Sequence, residues 1–97
     1  LADLLHQQGN LDEAIKTHQK AILINEYLDN KKNIALIFYK LGNISKQKNE
    51  LDEAENLLRQ SQAICEELKD YTIWVKTLHT LGIVLEQQQK LHEAEMI

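Results

Sequence analysis

Apolar residues recur along this 97-residue chain at intervals of three and four positions, the spacing of one face of an α-helix. Short polar segments interrupt the pattern about every twenty residues: Gly9-Asn10, Asp29-Asn30 and Lys48-Asn49-Glu50. A long coiled coil would need an unbroken apolar seam, so these interruptions favour helical hairpins. No segment alternates apolar and polar residues as a half-buried strand does. The sequence therefore predicts an all-α protein.

The turn segments divide the chain into six predicted helices, the last one incomplete. Gly9 and Asn49 tolerate the left-handed backbone conformation that closes a helix, so we expect tight turns there. Gln89 occupies the equivalent position further on and suits it less, which predicts a looser turn. The expected helices are residues 1–8, 11–28, 32–48, 51–69, 72–89 and 91–97.

The apolar positions also predict which side chains are buried. On the fifth helix this face comprises Trp74, Leu78, Leu81, Val84 and Leu85. His18 shares an apolar face with aliphatic residues, so we expect a packed core histidine rather than a ligand. Cys65 is the sole cysteine, which excludes an intrachain disulfide, and its spacing predicts a buried, unreactive thiol.

One four-residue motif occurs nearly three times at a spacing of forty residues, with His92 replacing the aspartate in the last copy. Leu51-Asp52-Glu53-Ala54 follows Leu11-Asp12-Glu13-Ala14 and precedes Leu91-His92-Glu93-Ala94. Recurrence at a fixed period indicates an array of one structural unit. We divide the chain into repeat 1 (residues 1–34, incomplete at its start), repeat 2 (35–74) and repeat 3 (75–97, incomplete at its end).

Small residues also recur at the forty-residue period within the helices. Gly42 lies mid-helix, where glycine costs about 1 kcal/mol relative to alanine. Gly82 and Ala2 stand forty residues on either side of it. We expect that a neighbouring helix approaches closely at these positions, because a larger side chain would prevent that approach.

Charge and composition exclude several classes of function. The net charge is −4 and the lysines are scattered, which argues against a nucleic-acid partner. No apolar run approaches the roughly 20 residues that cross a bilayer, so no membrane partner is expected. The four histidines lack metal-ligand spacing, and no phosphate-binding glycine loop or nucleophile elbow is present. We therefore expect no catalysis, no metal and no cofactor.

The chain begins without Met and stops inside a repeat, so we interpret it as a piece of a longer protein. A cytoplasmic location is compatible with the unpaired cysteine.

The repeating unit resembles the tetratricopeptide repeat, a helix–turn–helix module. This resemblance spans essentially the whole chain and implies a right-handed α-α superhelix of antiparallel helix hairpins, with about two and a half repeats. It further implies a non-catalytic module that binds a protein or peptide on the concave face formed by the first helix of each repeat. The residues at signature spacing are Phe38, Leu41, Gly42 and Ala54 in one repeat, and Leu78, Leu81, Gly82 and Ala94 in the next.

Three departures from the family pattern matter. The period is 40 residues rather than the usual 34. Ser45 and Leu85 stand where an aromatic residue usually follows the glycine, and the closing proline is missing. Long repeats that carry Leu-Gly-Asn resemble those of kinesin light chain and of related signalling arrays.

The resemblance predicts a peptide-binding strip on the helix face opposite the apolar one. Asn43 could bracket a bound backbone with its amide donor and acceptor. The alternative is an ordinary exposed face carrying scattered apolar residues. The predicted strip comprises Leu36, Tyr39, Asn43, Lys46 and Gln47 on the third helix, Lys76, His79, Ile83, Glu86 and Gln87 on the fifth, and Asp3, His6 and Gln7 on the first.

The position of Asn43 is occupied by Asp3 and Ile83 in the adjacent repeats, so the asparagine ladder of the kinesin-light-chain type is absent. A basic clamp for a terminal carboxylate is not predicted either, because only Lys76 and Asn43 could contribute.

Two other roles remain open at the level of sequence. The array could be structural or sensory and control a neighbouring effector domain of a larger protein. It could also self-associate, because the ends of a solenoid expose apolar faces that need caps.

Overall fold

A computed structural model describes residues 11–27 and 29–95 of the chain. Within them lie four helices: α1 (Leu11–Tyr27), α2 (Lys31–Gln47), α3 (Leu51–Leu68) and α4 (Tyr71–Glu95). Each helix packs against the next along the chain, and α2 also contacts α4. No strand occurs in this part of the chain, and the predicted all-α hairpin array is confirmed. The predicted helix at residues 1–8, with Ala2 and Gly9, lies outside the described residues.

The three turns share one geometry and recur every twenty residues. Asp29, Asn49 and Lys69 adopt the left-handed conformation, with φ of 55°, 62° and 56°. This confirms the prediction for Asn49, and each such turn satisfies carbonyl groups at the end of the preceding helix. The amide that follows each left-handed residue donates to the carbonyl five residues back, in the pairs Asn30–Asn25 (2.8 Å), Glu50–Ser45 (2.9 Å) and Asp70–Cys65 (3.0 Å).

Buried side chains from consecutive helices form the core. His18 and Cys65 are both buried, as their positions on apolar faces predicted. The buried Ser61 hydroxyl donates to the carbonyl oxygen of Ala35 (2.8 Å) and lies 3.1 Å from the Thr77 hydroxyl, so it joins α3 to both flanking helices. The buried apolar residues are Ala14, Ile34, Ala35, Ile37, Leu41, Ile44, Leu51, Ala54, Leu58, Cys65, Ile73, Leu81 and Val84.

One polar contact repeats at the forty-residue period. The ammonium of Lys48, just after α2, lies 2.9 Å from Asp12 Oδ1 in the first turn of α1. Forty residues later, the Gln88 amide nitrogen lies 3.0 Å from Asp52 Oδ1 in the first turn of α3. Equivalent positions therefore meet in successive units, as stacked copies of one structural unit require.

The two mid-helix glycines have different surroundings. A Cβ atom on Gly42 would lie 2.7 Å from Cγ and Cδ2 of Leu58, so the predicted close approach of α3 to α2 is confirmed there. At Gly82 no atom lies within 4 Å of the corresponding position, so the same prediction is wrong. The physical reason is that no helix of the described chain covers this side of α4.

The predicted turn at Gln89 and the separate sixth helix are also wrong, because α4 continues unbroken to Glu95. A left-handed glutamine would cost about 1–2 kcal/mol. It would also interrupt the helical hydrogen bonds of a segment rich in good helix formers. Within residues 91–95 only Leu91 and Ala94 are apolar, which is too little packing surface to offset that cost.

The buried face of α4 differs from the predicted one. Leu78 and Leu85 are 44% and 39% exposed, whereas Ile73, Thr77 and Thr80 are buried. The helix turns the face that carries these three residues, with Leu81 and Val84, toward the core. Burial follows the neighbours of α4, which packs mainly on α3 and also contacts α2.

Candidate functional site

The α2 part of the predicted strip lies along the middle and end of that helix. Leu36, Tyr39, Asn43 and Lys46 are partly buried, and Gln47 is exposed. Leu36 and Tyr39 are therefore not solvated side chains on an otherwise polar face. Each of them contributes part of its surface to the core and leaves part accessible.

The α4 part of the predicted strip is more open to solvent. Lys76, His79, Glu86 and Gln87 are exposed, and Ile83 is partly buried. At 100° per residue, His79 and Glu86 lie well away from the buried Leu81 and Val84 on the circumference of α4, whereas Gln87 lies only about 60° from Val84. The α4 part of the strip therefore flanks the face that packs on α3, and only Ile83 within it is partly buried. Asp3, His6 and Gln7 of the first predicted helix lie outside the described residues.

Helices α2 and α4, which carry the two described parts of the strip, contact one another. Leu36 packs against a cluster that includes Cys65 of α3 and Ile73 of α4. Tyr39 packs against a second cluster, which includes Leu58 of α3 and Val84 of α4. These two half-buried side chains thus form the floor of the strip where the three helices meet.

The polar groups around this floor can hydrogen-bond to a ligand. Asn43 is partly buried, so part of its side chain remains accessible to a ligand. Within the described residues no group of three His, Cys, Asp or Glu side chains could hold a metal ion. Burial raises the pKa of the Cys65 thiol, which disfavours the nucleophilic thiolate.

Sequence reasoning missed a cleft of about 530 Å³ between the α2–α3 turn and the last turns of α4. The cleft exists because α4 continues past Gln89, and the sequence pattern predicted a turn there. No local signal in the sequence indicates it. Its lining residues are Asn49, Glu50, Leu51, Asp52, Glu53, Gln88, Leu91 and His92.

Within residues 11–27 and 29–95, no helix has the length and apolar character required to span a membrane.

Comparison with known proteins identifies the family. A family model described as "Tetratricopeptide repeat" matches residues 1–67, more than half of the chain. Neither the comparison with curated proteins nor that with solved structures found a match. The family is typically a non-catalytic protein-interaction module. The hairpin packing, the contacts that recur after forty residues and this match agree with one another, and the chain belongs to the tetratricopeptide repeat family.

Proposed function

We propose that the chain binds an extended peptide segment of a partner protein along the strip on α2 and α4. The observation that carries this proposal is the position of Leu36 and Tyr39 at the junction of three helices. Both side chains are held in place by core packing and keep an accessible surface. Rigid apolar surface with polar groups beside it is the usual composition of a binding site.

The polar groups of the strip would set the orientation of the bound peptide. The Asn43 amide supplies one donor and one acceptor, which match the carbonyl and N–H of an extended backbone. Lys46 and Lys76 lie on α2 and α4 respectively, and Glu86 lies beyond them on α4. Charges on an exposed surface contribute little affinity, so these three side chains would tune partner preference more than binding strength.

The experiment starts by selecting peptides from a random display library on the 97-residue chain. The selected peptide is then labelled, and its Kd is measured by fluorescence anisotropy. We expect Asn43→Ala to raise the Kd about fivefold, which corresponds to one hydrogen bond of about 1 kcal/mol. Asn56→Ala, the same exchange at an exposed position on α3, is the matched control and should leave the Kd unchanged.

Tyr39→Ala should weaken binding further, but it also removes core packing, so its melting curve must be compared with that of the wild type. Unchanged affinity in both Asn43→Ala and Tyr39→Ala would refute the strip. Equal losses in Asn43→Ala and Asn56→Ala would refute it as well.

We further propose that the chain is of the extended-repeat type that resembles kinesin light chain. The support is the period itself, since the polar contact between Lys48 and Asp12 recurs forty residues later between Gln88 and Asp52. A second role as a self-associating array is favoured by the uncovered side of α4.

A further inference from the structure

A groove of about 310 Å³ lies between α1 and α3, where both helices pack on α2. Its floor is formed by Leu41 and Ser45 of α2, and its walls carry Ile15 of α1 and Leu57 of α3. The two floor residues are buried and the two wall residues are partly buried. The groove, which we call the α1–α3 groove, therefore offers apolar surface that core packing holds in place.

Two carboxylates border the α1–α3 groove. Glu50 immediately precedes α3 and Glu53 lies in its first turn, and both side chains are exposed. They stand three residues apart, so they are neighbours on one side of the helix. The positive end of the α3 dipole is equivalent to about half an elementary charge, which two carboxylates exceed. The rim of the groove is therefore negative.

The lysines beside the groove offset only part of this charge. Lys48 lies 3.7 Å from Glu50 Oε1, and its closer partner is Asp12, at 2.9 Å. The hydrogen bond and charge of Lys48 lower the pKa of Asp12, and the charge of Lys16 adds to this effect. These two lysines are thus shared among three carboxylates, and a net negative charge remains at the groove.

The apolar wall and the acidic rim do not recur in the next unit. Forty residues later, Glu55 stands in place of Ile15, and Lys90 stands in place of Glu50. Each of these later residues forms an ion pair with a residue four positions away on its own helix, at 2.7 Å and 3.2 Å. A feature that stacking requires would recur at the forty-residue period. Stacking therefore does not account for the composition of the α1–α3 groove.

Apolar walls beneath a negative rim complement a cation carried on an aliphatic stem. We propose that the α1–α3 groove binds an arginine side chain of a partner protein. The methylene groups contact Ile15, Leu41 and Leu57, and the guanidinium lies between Glu50 and Glu53.

Arginine suits this groove better than lysine does. The planar fork of N–H donors on a guanidinium can serve two carboxylates at once, and the group is more weakly hydrated than an ammonium. The volume of the groove is near the lower end of the roughly 300–1,000 Å³ that ligand sites span, which suits one long side chain.

The α1–α3 groove is separate from the peptide strip. Leu41 on the groove floor lies about 160° around α2 from both Tyr39 and Asn43 of the strip. Arginine binding in the groove therefore does not depend on the proposed peptide binding, and either proposal can fail without the other.

The first experiment uses three capped pentapeptides whose central residue, between alanines, is arginine, lysine or citrulline. Citrulline has the shape of arginine without its charge. Binding to the isotope-labelled 97-residue chain is followed by amide chemical shifts. We expect a millimolar Kd for the arginine peptide, because few ligand atoms enter the groove. The Kd should be about threefold higher for lysine and about tenfold higher for citrulline.

The largest shifts should fall on residues that line the groove, such as Glu53 and Leu57. A lysine or citrulline peptide that binds as tightly as the arginine peptide overturns the proposal. Shifts centred on Tyr39 and Asn43 overturn it as well, because they would place the arginine on the strip.

The second experiment removes one carboxylate from the rim. Glu53→Gln keeps the shape of the side chain and should raise the Kd of the arginine peptide about fivefold. Glu66→Gln is the matched control, since Glu66 is exposed and lies about 180° from Leu57 around α3. Equal changes in the two variants would show that the peptide responds only to net charge, and would overturn the groove as its site.

A third comparison gives the rim the residue that the next unit carries. Glu50→Lys copies Lys90 and should raise the Kd more than about twentyfold, because a cation then faces the guanidinium. The Glu50 side chain makes no capping hydrogen bond to α3, so the variant should keep the circular dichroism of the wild type. Glu66→Lys changes the net charge equally and is the control. A Glu50→Lys protein that binds as tightly as the Glu66→Lys protein overturns the proposal.

Discussion

Helices α2 and α4 occupy equivalent places in successive repeats but differ in their surroundings. Ala35 is 1% exposed and its equivalent Val75 is 66% exposed, although valine is the more apolar residue. Ser45 and Leu85 show the same inversion, at 4% and 39%. Helix α2 lies between α1 and α3, whereas α4 packs mainly on α3. In a repeat array, burial is therefore set by which neighbours a helix has, and its own apolar pattern does not decide it.

The largest effect on stability is expected from leucine substitutions at the two mid-helix glycines, Gly42 and Gly82. Gly42→Leu should lower the free energy of unfolding by about 3 kcal/mol, because the new side chain collides with the buried Leu58. Gly82→Leu should raise it by roughly 0.5–1 kcal/mol, because leucine is a better helix former and the site is open. Urea unfolding measures both free energies. Equal destabilisation by the two variants would contradict the difference in packing.

A smaller effect on stability is expected when glycine replaces a turn residue, Lys69, or a helical residue, Gln89. Lys69 is left-handed (φ 56°), so Lys69→Gly should stabilise the protein by several tenths of a kcal/mol. Gln89, twenty residues later, is helical, and Gln89→Gly should weaken the last turns of α4 by about 1 kcal/mol.

Thermal melts report the effect of Lys69→Gly, and amide hydrogen exchange at residues 90–95 reports that of Gln89→Gly. Stabilisation by both substitutions would indicate that residue 89 also lies in a turn.

The smallest effect concerns the repeated polar contact. It is an ion pair between Lys48 and Asp12 in one unit, and in the next it is a hydrogen bond from the uncharged amide of Gln88 to Asp52. The hydrogen bond and charge of Lys48 lower the pKa of Asp12 below its ordinary value. Because the folded-state pKa is the lower one, the contact stabilises the fold above the unfolded-state pKa and is lost as pH falls through the folded-state value.

Lys48→Gln, which imitates the natural Gln88, should return the pKa of Asp12 to its ordinary range in an NMR titration. An unchanged Asp12 pKa would show that the ion pair does not form in solution.

Much of the fold follows from local sequence signals. The interruptions at Asp29-Asn30 and Lys48-Asn49-Glu50 predicted turns because asparagine and aspartate tolerate left-handed backbone, and both turns are confirmed. The errors fall on α4, at Gln89, Gly82 and the Leu78–Leu85 face. At each of these positions the outcome depends on whether another helix packs there, and no periodicity within one helix carries that information.

The candidate site could be predicted only as a face of a helix. Spacing alone placed Leu36, Tyr39 and Asn43 on one side of α2, and the structure leaves all three partly accessible. The spacing could not show that Leu36 and Tyr39 also pack against side chains of α3 and α4. That fact depends on how three helices meet, which is a tertiary property.

The three equivalent turns have a kinetic consequence. Each turn joins two helices that pack against each other, so most tertiary contacts form between segments only a few tens of residues apart. Chains with such local contacts collapse quickly, because little loop entropy is lost before a contact is gained. Any single hairpin can nucleate the structure, and growth then proceeds outward one helix at a time. Unfolding should run in reverse, with the outermost helices fraying first and α2–α3 separating last.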